Sequence, residues 1–145
     1  CENIIKCSMS LSATSFSAAT LTVTFSVTEA NKDFALVSSN PASNSTLTTA
    51  DFNSIGSTEY AARISSGIAV DTQKTFTLNA TGIAAIPKNG GLFKLAIRNA
   101  YDIDSSAPAD NFRHSIYFNE IANATFRPKL TLTYIPVSRR SQFFF

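Results

Sequence analysis

Chemistry near neutral pH needs titratable or nucleophilic side chains within reach of one another, and this chain offers few. His114 is its only histidine, and Cys1 and Cys7 are its only cysteines. A Ser-His-Asp or Cys-His device would therefore have to run through His114. No Gly-x-Ser-x-Gly elbow is present, and the neighbouring Arg113 disfavours an imidazolium, so His114 reads as a strand-edge side chain. Paired carboxylates for glycoside hydrolysis would have to be drawn from Glu29, Glu59, Glu120 and the aspartates, none of which stands in a recognisable motif. Asp102, Asp104 and Asp110 form the one acidic cluster on a loop, and they are the candidate ligands for a structural calcium ion, because hard cations take oxygen donors from such loops. The Asp-x-Asp-x-Asp-Gly spacing is absent, however, and aspartates among Ser and Pro also bond their own backbone in turns. Sugar rings stack on aromatic faces with polar neighbours. Tyr60, Tyr101, Phe112 and Tyr117 are of that type, and Tyr101, Phe112 and Tyr117 are the candidate ligand-binding residues. Asn44, Asn79 and Asn123 each begin an Asn-x-Ser/Thr triplet, a signal that 35 hydroxyl residues among 145 produce by chance.

The composition narrows the setting. A chain of 145 residues is the size of one domain with one core. Lys and Arg number 12 against 10 Asp and Glu, and two of the twelve are the adjacent Arg139 and Arg140. That near-balance argues against electrostatic binding of nucleic acid. Only 15% of residues are charged, so the surface is polar through its 19 serines and 16 threonines. Between Lys6 and Glu29 no charge occurs, but 11 of those 22 residues are Ser or Thr, half the apolar density that a membrane-spanning helix requires. No signal-peptide pattern is visible behind Cys1-Glu2-Asn3. A Cys1–Cys7 bridge would close too short a terminal loop to constrain much.

The elements that must position these side chains are strands. In residues 20–28, Leu21, Val23, Phe25 and Val27 alternate with Thr and Ser, the period of a strand with one face on a core. Phe93, Leu95 and Ile97 repeat the pattern, as do Leu130, Leu132 and Tyr134. Further strands are expected over residues 3–11, 34–38, 60–65, 75–79 and 115–120. A helical turn is expected near Thr49, and a short helix or 3₁₀ turn between Ile83 and Ile86, ended by Pro87. Residues 101–110 read as a loop, and residues 138–145 as a tail behind a single sandwich of residues 1–137. Seven or eight short strands separated by turn signals predict an all-β, antiparallel sandwich or jelly roll.

Several segments resemble, in order, the later part of DNRLRE-type extracellular β-sandwich domains. They are Ala13-Thr14-Ser15-Phe16-Ser17-Ala18-Ala19-Thr20-Leu21, Phe76-Thr77-Leu78-Asn79, Phe93-Lys94-Leu95-Ala96-Ile97-Arg98 and Arg127-Pro128-Lys129-Leu130-Thr131-Leu132-Thr133-Tyr134. The motif that names the family is absent, and the strands that usually precede the first segment are reduced to residues 3–11. The resemblance implies a non-catalytic jelly-roll module, of the kind found in cell-surface proteins, secreted enzymes and phage tail or virion proteins.

Two functions follow as expectations. One is a structural or adhesive building block of an extracellular filament, cell surface or virion, not an enzyme and without a cofactor beyond the calcium considered above. Its partners would be copies of itself or a larger assembly joined by β-edge pairing, because a sandwich short of front strands leaves an edge open and the charge-free stretch of residues 11–28 is hazardous if exposed. The other is a carbohydrate-binding module of a secreted polysaccharide-degrading enzyme.

Overall fold

The computed structural model describes residues 3–26, 33–43, 46, 48–65, 67–107, 115–118 and 121–138. Seven strands form two antiparallel sheets: β1 (Asn3–Met9), β2 (Ala13–Phe25), β3 (Phe34–Ser39), β4 (Ile55–Glu59), β5 (Thr72–Thr77), β6 (Gly91–Asn99) and β7 (Lys129–Pro136). One sheet has the order β1-β6-β3-β4 and the other β5-β2-β7. They pack face to face as a β-sandwich. Leu21, Val23 and Phe25 of one sheet and Phe34, Leu36, Leu95 and Ile97 of the other are fully buried between them. Phe25 and Phe34 meet across the layers with ring centroids 5.0 Å apart.

β2 shows how the sequence pattern bends to the fold. From Ala19 to Phe25 every second side chain is buried and Thr24 is buried as well, but the earlier buried positions, Ala13, Phe16 and Ala19, fall three apart. Register shifts against β7 between Ala13 and Ser15 and between Phe16 and Ala18 absorb the extra residues, as β-bulges do. The strand expected from Thr20 therefore begins at Ala13 and runs for 13 residues. It is also the central strand of its sheet, paired with β5 on one side and β7 on the other, so its backbone is covered by its own chain.

β3 is buried on both faces. Phe34 and Leu36 enter the core, while Ala35 and Val37 join Ala96 in a second cluster on the far side of the sheet, packed by Ile4, Ile55 and Ile103. A strand covered on both faces reads as a continuous apolar run.

Three local expectations are corrected. Residues 60–65 are not a strand; Ala61 and Ile64 make only isolated bridges to Leu78 and Phe34, and the strand lies one step earlier, at β4. β4 is a partly exposed edge, so its pairing rests on backbone and left no apolar alternation to read. The start of the 101–110 loop is a short helix, α2 (Ala100–Ile103), because Asn99 Oδ1 accepts from Tyr101 N at 2.9 Å and caps it. Residues 115–118 contribute a single bridge, Ile116 to Phe25, rather than a strand. The expected helix near Ile83 is present as α1 (Ala80–Ala84), capped by Asn79, and the turn near Thr49 is a 3₁₀ helix over Thr49–Ser54.

Candidate functional site

The sandwich is open, so four strands lie at sheet edges: β1, β4, β5 and β7. Edges invite pairing unless something blocks them, and charge is the usual block. β1 carries Lys6, and β4 is five residues long and ends in Glu59. β5 carries Lys74 as the partner of the buried Val23, which puts the lysine on the face turned toward the other sheet. β7 begins on Lys129 and ends on Pro136, and residues 130–135 between them carry no charge. Its far end is apolar and open to water, with Tyr134 40%, Ile135 60% and Val137 50% exposed. Phe16 meets Tyr134 with centroids 6.2 Å apart, so that end is held on β2, and among the described residues no strand pairs with its outer edge.

A second feature is a cleft of about 540 Å³ at the end of the larger sheet. The half-buried Tyr60 stands in it, its ring nearly parallel to that of Phe93, a core residue only 3% exposed, with centroids 6.2 Å apart, and Ser38, Ser39 and Asn40 flank it. Ser39 Oγ is buried without a hydrogen-bond partner. Gly56 keeps the floor low, since a Cβ there would lie 2.2 Å from Ser38 Oγ. An aromatic face beside hydroxyls and an amide suits a polar ring ligand.

The expected site residues are placed apart from this cleft. Tyr117 is half-buried; its ring stacks on Phe126 at 5.2 Å, and its hydroxyl donates to Asp71 Oδ1 at 2.8 Å. Tyr101 lies on α2, its amide capped by Asn99. Neither lines the cleft, whereas Tyr60 does. Phe112, Asp110, His114, Cys1, Asn44, Glu29, Glu120 and residues 139–145 lie outside the described residues.

Asp102 and Asp104 are both engaged by arginines. Arg98 Nε donates to Asp102 Oδ2 at 2.7 Å, and Arg63 grips Asp104 through two nitrogens at 3.0 and 2.9 Å while also donating to Glu59 at 2.7 Å. These carboxylates raise the Arg63 pKa further above its already high value, Glu59 first and Asp104 second. Among the described residues no three His, Cys, Asp or Glu side chains gather as a metal-binding group. Asn79 and Asn123 both serve as caps: Asn79 Oδ1 accepts from Gly82 N while its Nδ2 donates to Glu59 O, and Asn123 Oδ1 accepts from Thr125 N. Burial raises the Cys7 pKa, which keeps the thiol protonated at neutral pH. Among the described residues no helix is long and apolar enough to cross a membrane.

Sequence reasoning missed Ser38, Ser39 and Asn40, which stand in no motif; Phe93, read as an inward residue of an alternating strand, is buried in the core as that period implies. No family model, curated protein or solved structure matches this chain.

Proposed function

We propose that the chain is a non-enzymatic structural or adhesive building block, assembled through the free edge of β7 with copies of itself in an extracellular, cell-surface or virion structure. The observation that carries this reading is the contrast among the edges. β1 and β5 hold a lysine within the strand and β4 is only five residues long. β7 carries its one charge at its first residue, Lys129, while residues 130–135 hold none and include the exposed Ile135, with exposed Val137 just beyond the strand. An unblocked strand edge offers backbone donors and acceptors to another strand, and exposed apolar side chains at its end add burial. The resemblance to DNRLRE-type domains agrees with a non-catalytic extracellular role.

The test is solution mass by light scattering over a range of concentrations, for the native chain and for Ile135→Lys. Ile135 is 60% exposed, so the lysine leaves the fold intact while charging the edge. Oligomers in the native chain that dissociate in the variant support the reading; a native monomer at every concentration overturns it.

A second reading, a carbohydrate-binding module, is favoured by the cleft where Tyr60 and Phe93 stack beside Ser38, Ser39 and Asn40. Tyr60→Ala should abolish polysaccharide retention in affinity electrophoresis if that cleft holds sugar.

A further inference from the structure

The outward face of the β5-β2-β7 sheet repeats one pair of residues three times: Thr20 and Thr22, Thr75 and Thr77, Thr131 and Thr133. Between each pair lies an inward residue, Leu21, Phe76 or Leu132, packed in the core. Side chains alternate along a strand, so all six threonines point the other way. Strand pairing then sets them in rows. Thr77, Thr20 and Thr131 lie side by side; Thr75 and Thr22 form the next row, ended by Lys129; and Thr133 stands opposite Ala18. Thr75, Thr77, Thr131 and Thr133 are exposed, and Thr20 and Thr22 half-buried. The hydroxyls of Thr22 and Thr75 are 2.9 Å apart, within hydrogen-bonding distance across the strands.

Strand propensity accounts for threonine on a solvated strand face. It does not account for the same pair on three neighbouring strands, in register on β5 and β2 and offset by one row on β7, with neither an acid nor an aromatic ring among them.

We infer that this face binds ice. A sheet spaces side chains about 4.8 Å apart across strands and about 6.7 Å apart at alternate residues. That two-dimensional lattice is close to the oxygen repeats on growing faces of hexagonal ice. Each threonine hydroxyl both donates and accepts, so it can occupy a water position in a hydrogen-bonded lattice. Its methyl group, held at a restricted χ1 by β-branching, keeps the array rigid and confines water between hydroxyls. Charges would instead impose their own hydration; Lys129 ends the second row and Arg127 lines the cleft beside it with Thr22, so these charges lie at one side of the patch. Sugar stacking needs aromatic platforms, which these rows lack. The sheet's twist of about 20–25° per strand limits the matched area, so the expected activity is slow adsorption and inhibition of recrystallisation.

The experiment grows ice slowly from a dilute solution of the full chain and a control protein of similar size, and assays protein in the ice fraction. The native chain should be enriched several-fold over the control. Thr77→Lys with Thr131→Lys should fall to the control level, with an unchanged thermal midpoint. Thr77→Ser with Thr131→Ser keeps the hydroxyls and the fold but removes two methyls, and should lose most of the enrichment. A native chain excluded from ice like the control overturns the inference, as do serine variants that partition like the native chain.

Discussion

Lys6 and Lys94 stand opposite each other on β1 and β6, and both ammonium groups reach over the sheet to the same stretch of backbone. Lys6 Nζ donates to Ser43 O and Lys94 Nζ to Pro41 O, each at 2.8 Å. Like charges directly across a strand pair repel. Here two charge-assisted hydrogen bonds outweigh that repulsion, and they fasten the 40–54 connection across the outer side of the sheet that carries Ala35, Val37 and Ala96. Lys94→Met should cost about 1 kcal/mol, the bond to a charged donor less the relieved repulsion. Urea denaturation measures it, and faster amide exchange around residues 41–43 should accompany it.

Asp51 holds the other end of that connection. Its carboxylate accepts from Thr48 N at 2.8 Å and Ala42 N at 3.0 Å, and these two amides, Thr48 first, lower its pKa below the ordinary aspartate value. A carboxyl whose pKa is lower in the folded chain stabilises the fold above the unfolded value of about 3.9, and that contribution disappears as pH falls through the folded value. Asp51→Asn should therefore melt below the native chain from pH 5 to 7, with the gap closing under acid conditions. Thermal melts across that range decide it; a gap independent of pH would mean that the amides do not hold the charge.

Gly82 should resist replacement although it lies in a helix. Alanine in place of glycine favours a helix by roughly 1 kcal/mol. A Cβ at this position, however, would lie 2.6 Å from Tyr60 O and 2.9 Å from Tyr60 Cβ. Backbone cannot yield as a flexible side chain can, so overpacking wins and Gly82→Ala should destabilise by about 2 kcal/mol. The same shift of residue 60 would move Tyr60 in the cleft. Chemical denaturation gives the first effect, and polysaccharide retention would report the second.

Tyr117 and Asp71 form a pair with its own pH signature. Asp71 sits at φ 61°, a left-handed conformation that aspartate tolerates better than most residues, and its carboxylate accepts the Tyr117 hydroxyl. That hydrogen bond, followed by burial and the aspartate charge, raises the tyrosine pKa. Stability from the pair is complete below the unfolded value of about 10 and is lost as pH rises through the folded one. Ultraviolet titration of tyrosinate should show one late-ionising tyrosine, absent in Tyr117→Phe and shifted down in Asp71→Asn.

Strands with an apolar face on the core were legible wherever the period of two survived, as in Phe93, Leu95 and Ile97 of β6. β4 was not legible, because an edge strand held by backbone pairing needs no apolar alternation. The helix at Ala100–Ile103 left a readable signal in Asn99, a capping residue ahead of Tyr101, which was passed over beside the more conspicuous aspartates. Asp104 looks like a ligand in sequence because its partner Arg63 is 41 positions away and their pairing exists only in the folded chain, whereas the partner of Asp102, Arg98, stands four residues before it.

The amino-acid sequence by itself determined the material of this protein: antiparallel strands with hydroxyl-rich faces, few charges and a single histidine. Those properties follow from side-chain period and composition, which are local. Tertiary structure decided which strands are central and which are edges, since β2 meets β7 through pairs such as Leu21 with Leu130. It also decided that Tyr60 and Phe93 share a cleft and that three separate Thr pairs form one array. Strand order and register come from closing long loops onto one core, and no stretch of the chain read alone contains that information.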